Sequence, residues 1–107
     1  MKKTKQSSPA NALAKHIISR MNAMGHYVWR NNTVGVARRS NVAHRGVGDV
    51  IGLTKNGKHI EFEVKIGRDK QSEFQMQHEE MIERRGGYYF ELNRIEQFDS
   101  VAWEKVL

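Results

Sequence analysis

A chain of 107 residues has room for one modest hydrophobic core, and the absence of cysteine excludes a disulfide framework, a thiolate zinc site and a cysteine nucleophile. No apolar run approaches the roughly 20 residues of a membrane span, and no apolar signal core follows the basic start, so a cytosolic setting fits. The net charge of +6 is segregated: residues 1–48 hold nine Lys/Arg and no acid, whereas residues 49–107 hold nine Lys/Arg and all twelve acids. Such asymmetry points to a polyanion rather than to a merely solvated tail, because Arg20, Arg30, Arg38, Arg39 and Arg45 run on into sequence that should fold.

In chain order, residues 1–8 are rich in Lys and Ser and read as a flexible basic arm, with residues 9–107 as one folded unit. Ser8-Pro9 supplies a cap and a first-turn proline, after which Ala10, Leu13, Ala14, Ile17, Ile18, Met21 and Met24 keep helical spacing as far as Gly25. His26 to Arg30 alternates as a strand, which puts Trp29 in the core. Residues 31–48 follow neither period and read as a long loop, a kind of segment that is often functional in small domains.

Two β-rich runs then flank Asn56-Gly57, a strong hairpin signal. A two-residue loop would pair Lys55 with Lys58. A three-residue loop with Gly57 left-handed instead pairs Thr54 with Lys58 and brings Asp49 opposite Glu63. The second register is expected, because it gathers Val50, Gly52, Ile60, Phe62 and Val64 on one face. The other face then carries Asp49, Glu61, Glu63 and Lys65. Ser72 caps a helix ending at Gly86-Gly87, Tyr88 to Leu92 forms a strand, and a final helical segment, restarted at Asp99 or Ser100, docks through Trp103. The resulting order, αβββαβα, describes an α/β domain with a small mixed sheet flanked by helices.

Asp49, Glu63 and Lys65 form the constellation with chemical content. Strand period two sets Glu63 and Lys65 on one face, so two carboxylates and an ammonium converge, and the Val64 carbonyl could add a further oxygen. Hard divalent cations such as Mg²⁺ or Mn²⁺ take oxygen ligands of this kind, sharing them with water and substrate phosphate. Such an ion would polarise a scissile phosphate, while Lys65 could orient water or offset developing charge. The competing interpretation is a solvated strand face with cross-strand ion pairs. His44 and His78 read as structural or solvated histidines.

These residues also carry a resemblance. RNN at Arg30 to Asn32, GVGD at Gly46 to Asp49, EVK at Glu63 to Lys65 and DKQSEFQ…ERRGGYYF at Asp69 to Phe90 resemble the VRR-NUC domain, a branch of the PD-(D/E)XK nucleases related to archaeal-type Holliday-junction resolvases. The likeness spans residues 10–98. It implies a restriction-endonuclease-like αβββαβ core, Mg²⁺- or Mn²⁺-dependent hydrolysis of structured or branched DNA, and a homodimer. It makes Asp49 and Glu63 metal ligands, Lys65 the catalytic lysine and Gln75 an active-site residue. Ser72-x-x-Gln75 is equally a capping box, in which Gln75 would simply reach back to the Ser72 amide. Arg30, Asn31, Asn32, Arg38, Arg39 and Arg45 would line the DNA path through phosphate contacts. Gly48 stands where the family motif has proline, and no acid precedes Asp49, which leaves a second metal site unsupported. A non-catalytic DNA-binding module, or a subunit of a larger nuclease, is the alternative.

Overall fold

The computed structural model describes residues 8–31, 47–67 and 70–107. The basic arm up to residue 7 and most of the long loop lie outside them. Among the described residues the order is α1 (Pro9–Ala23), β1 (Tyr27–Arg30), β2 (Val50–Leu53), β3 (His59–Val64), α2 (Glu73–Arg84), β4 (Tyr88–Leu92), α3 (Ile95–Asp99) and α4 (Trp103–Val106). The four strands form one mixed sheet in the order β1-β2-β3-β4, antiparallel except for the parallel β3–β4 pair that the α2 crossover makes possible. No helix among the described residues is long and apolar enough to cross a membrane.

α1 starts where the sequence marks it, with Ser8 Oγ accepting the Asn11 N–H at 3.1 Å and Pro9 in the first turn. Its apolar stripe, Leu13, Ala14, Ile17 and Met21, is buried against one face of the sheet, where Val28, Val50, Ile60, Phe62 and Leu92 meet it. Burial of each of the larger side chains here contributes about 1.5–3 kcal/mol. The C-terminal segment closes the same core. Trp103 donates its Nε1–H to the Phe98 carbonyl at 3.0 Å and lies edge-on to Phe62 and Phe90.

The hairpin takes the bulged register. Val50 pairs with Phe62 and Leu53 with His59, the Thr54 N–H donates to the Lys58 carbonyl at 2.8 Å, and Gly57 turns the chain at φ +83°, a conformation costly for a residue with a Cβ. Three expectations need correction. The first strand starts at Tyr27, because His26 is occupied elsewhere, its Nδ1 accepting the Lys55 N–H at 3.0 Å. Trp29 is outside the core at 44% exposure, since Val28 is the residue of β1 turned toward α1. The last helix begins after Ala102 with no side-chain cap. Asp99 instead pairs with His16 of α1 at 2.7 Å, and the Ser100 hydroxyl donates to the Gln97 carbonyl.

Candidate functional site

β3 places Glu61 and Glu63 on the face opposite the main core, beneath α2. They are 1% and 5% exposed, which removes the interpretation of this face as solvated ion pairs. Extending the β2–β3 register by one pair sets Asp49 opposite Glu63. The Val64 N–H donates to Asp49 Oδ2 at 2.7 Å, so this carboxylate satisfies a backbone donor of β3 just before β2 begins. Lys65 Nζ lies 3.7 Å from Glu63 Oε1, and the Tyr89 hydroxyl reaches Oε2 at 3.4 Å. Burial, and after it the Asp49 carboxylate, push Glu63 up to about 8 despite the opposing pull of Lys65. Burial and Glu63 in turn push the Tyr89 hydroxyl upward.

Two residues earlier the same strand face is organised differently. Glu61 Oε1 accepts the Gly48 N–H at 2.8 Å. His59 Nε2 lies 2.5 Å from Oε2, and His78 Nε2 lies 3.0 and 2.9 Å from the two carboxylate oxygens. An ionised carboxylate only accepts, so both imidazoles present Nε2–H to it. Burial pushes Glu61 upward, but the Gly48 amide and the two imidazoles outweigh it and hold the carboxyl below its ordinary value.

Glu61 therefore links β3, the α2 helix through His78, and the segment leading into Asp49 through Gly48. That segment runs close to β3: a Cβ on Gly48 would lie 2.7 Å from the Phe62 carbonyl oxygen, a backbone contact with nothing flexible to yield. β1 holds it from the other side, the Asn31 N–H donating to the Asp49 carbonyl at 2.8 Å and Asn31 Nδ2 to the Gly48 carbonyl at 3.1 Å. Asp49 is thus held from the β1 side by Asn31 and from the β3 side by the Val64 amide.

Of the residues singled out from sequence, Asp49, Glu63 and Lys65 come together, with Val64 tied to Asp49 through its amide. Gln75 forms the capping box: its Oε1 accepts the Ser72 N–H at 2.7 Å, and Ser72 Oγ accepts the Gln75 N–H at 3.1 Å. Arg30 reaches the α1 side of the sheet, where it donates to Asn11 Oδ1. Asn31 is engaged with the Gly48 and Asp49 backbone. Asn32, Arg38, Arg39, His44 and Arg45 lie outside the described residues. Sequence reasoning missed the His59–Glu61–His78 cluster. Its signal was the i, i+2 repeat of Glu61 and Glu63 on a covered strand face, because a second buried carboxylate needs donors of its own.

The donors that could hold a metal are Asp49, Glu63 and the Val64 carbonyl, an all-oxygen set suited to a hard divalent cation. A positive charge there would offset the burial and the Asp49 repulsion that together raise Glu63. Among the described residues no group of three His, Cys, Asp or Glu is arranged around a common point for a metal, so substrate and water oxygens would have to complete the shell. No protein-family model, no curated protein and no solved structure matches the chain.

Proposed function

We propose that the chain is a divalent-metal-dependent DNA endonuclease of the VRR-NUC kind, hydrolysing phosphodiester bonds at structured or branched DNA on a restriction-endonuclease-like core. The observation that carries this reading is the buried Glu63 beside the partly buried Asp49, with the Lys65 ammonium 3.7 Å from Glu63 at the end of β3. Perturbed acids with a specific charge partner are a mark of functional sites. The segregated positive charge of residues 1–48 supports a polyanion substrate.

Mg²⁺ or Mn²⁺, when bound, supplies a Lewis acid for the scissile phosphate and lowers the pKa of a coordinated water. Asp49 and Glu63 would hold the ion, with the Val64 carbonyl as a third oxygen. Asp49 is pre-positioned by the Val64 amide and the Gly48 segment, so little reorganisation is needed on binding. Lys65 orients the attacking water or offsets the charge that builds on phosphorus. Gln75 is assigned to the site by the family pattern and to helix capping by its own hydrogen bonds. A two-fold homodimer would bring the two sites that symmetric cutting of a junction needs.

The experiment is a gel cleavage assay of the full chain and Lys65→Ala on four-way junction, flap, splayed and plain duplex DNA, in Mg²⁺, Mn²⁺ or EDTA. Metal-dependent cleavage by the wild type, lost in Lys65→Ala with DNA binding retained, is expected. Equal cleavage by the variant, or intact DNA in every lane, contradicts the proposal. Intact DNA with retained binding in EDTA identifies the non-catalytic DNA-binding module instead.

A further inference from the structure

α2 covers the carboxylate face over β3 and β4, and no described helix covers the half formed by β1 and β2. There Tyr27 is 67%, Trp29 44% and Leu53 44% exposed. The two aromatic rings lean on each other with centroids 5.1 Å apart and planes at 53°. β1 is an edge strand whose residues pair Tyr27 with Leu53 and Trp29 with Ile51, and Asn31 N–H bonds the Asp49 carbonyl. Trp29 is therefore the diagonal cross-strand neighbour of Asp49 on the same sheet face, a separation of about 7–8 Å or less between their Cβ atoms. A phosphate at Asp49 and Glu63 would have a neighbouring base within reach of this aromatic pair.

We propose that Tyr27 and Trp29 form a stacking platform for an unpaired nucleobase adjoining the scissile phosphate, so that the site takes single-stranded or splayed nucleotides in preference to continuous duplex. The proposal deepens the nuclease reading and rests on it for the position of the phosphate. An aromatic face stacks on any base whose own face is free, and in a continuous duplex neighbouring bases cover those faces. Charge favours this occupant over a second copy of the chain. The protein carries a net charge of +6, so two copies repel each other, whereas a polynucleotide complements that charge.

The test titrates the full chain with labelled oligothymidylate or with a blunt duplex of the same length in EDTA, following anisotropy and tryptophan emission together. Trp103 is buried, so a change in emission reports Trp29. Emission should fall in step with single-strand binding and stay flat with duplex. Trp29→Thr, kept only if its circular dichroism matches wild type, should bind the single strand roughly tenfold more weakly, and Trp29→Phe should retain most of the affinity. Absence of binding, unchanged emission at saturation, or wild-type affinity in Trp29→Thr overturns the platform. So does light scattering that finds a DNA-free dimer dissociated by Trp29→Thr. Unaltered emission beside intact Mg²⁺-dependent cleavage refutes the platform alone, whereas quenching without any cleavage refutes the nuclease reading alone.

Discussion

Glu61 and Glu63 are two buried glutamates on one face of one strand, two residues apart, and their surroundings drive them in opposite directions. Glu61 is surrounded by donors, the Gly48 amide and two imidazoles, and stays ionised below its ordinary pKa. Glu63 faces another carboxylate, with a single ammonium at 3.7 Å and a distant tyrosine hydroxyl, and is pushed up to about 8. Burial is common to both, so it does not distinguish a structural acid from a functional one. Unmet need for positive charge does.

Removing the donor-satisfied acid should produce the largest effect on stability. Glu61→Ala leaves the Gly48 amide and two imidazoles without their shared acceptor and should cost about 3–5 kcal/mol in urea unfolding. The α2 helix loosens with it, since this helix fully buries none of its own residues and depends on His78 for polar anchorage. Glu61→Gln keeps an acceptor for Gly48 and should lose less. A Glu61→Ala variant within about 1 kcal/mol of wild type would remove the contrast between the two acids.

A pH titration sharpens the comparison with a smaller signal. Because Glu63 takes up its proton more readily in the folded state, its share of stability is fully present below about 4.5 and is lost as pH rises through about 8. The metal-free melting temperature of wild type should therefore fall relative to Glu63→Gln across that window. Added Mg²⁺ should raise the wild-type melting temperature more at the alkaline end than at the acid end, through ligand-linked stabilisation. Parallel pH profiles for the two proteins would contradict the assignment. The smallest effect concerns Gln75. As a capping residue alone, Gln75→Ala costs about 1 kcal/mol of stability and leaves the cleavage rate of the folded enzyme unchanged. A large loss of rate at full folding would instead place Gln75 in the reaction.

The sheet was legible where local rules and burial agreed. Ser8-Pro9, the α1 stripe, Gly57 in the hairpin and the Tyr88–Leu92 strand each combine a local signal with a tertiary demand in the same direction. The hairpin register alone sets Asp49 opposite Glu63. Trp29 was misread because alternation fixes which residues share a face but not which face is covered. His78 reads in sequence as a structural or solvated histidine and His59 looks solitary; His59 shares a strand face with Glu61, and His78 reaches the same carboxylate only through the β3–α2–β4 crossover. The C-terminal turn was misplaced because Asp99, a good helix cap by type, is drawn into a long-range pair with His16.

The most direct measurement is single-turnover cleavage of a branched DNA in Mg²⁺ by wild type, Glu63→Gln and Glu61→Gln, each verified as folded. Cleavage by the wild type should fall by at least about a hundredfold in Glu63→Gln. It should persist in Glu61→Gln, whose acceptor for Gly48 is preserved. Equal rates for wild type and Glu63→Gln, or no cleavage by the wild type in Mg²⁺ or Mn²⁺, would contradict the assignment of the Asp49–Glu63 pair as the metal-dependent catalytic centre.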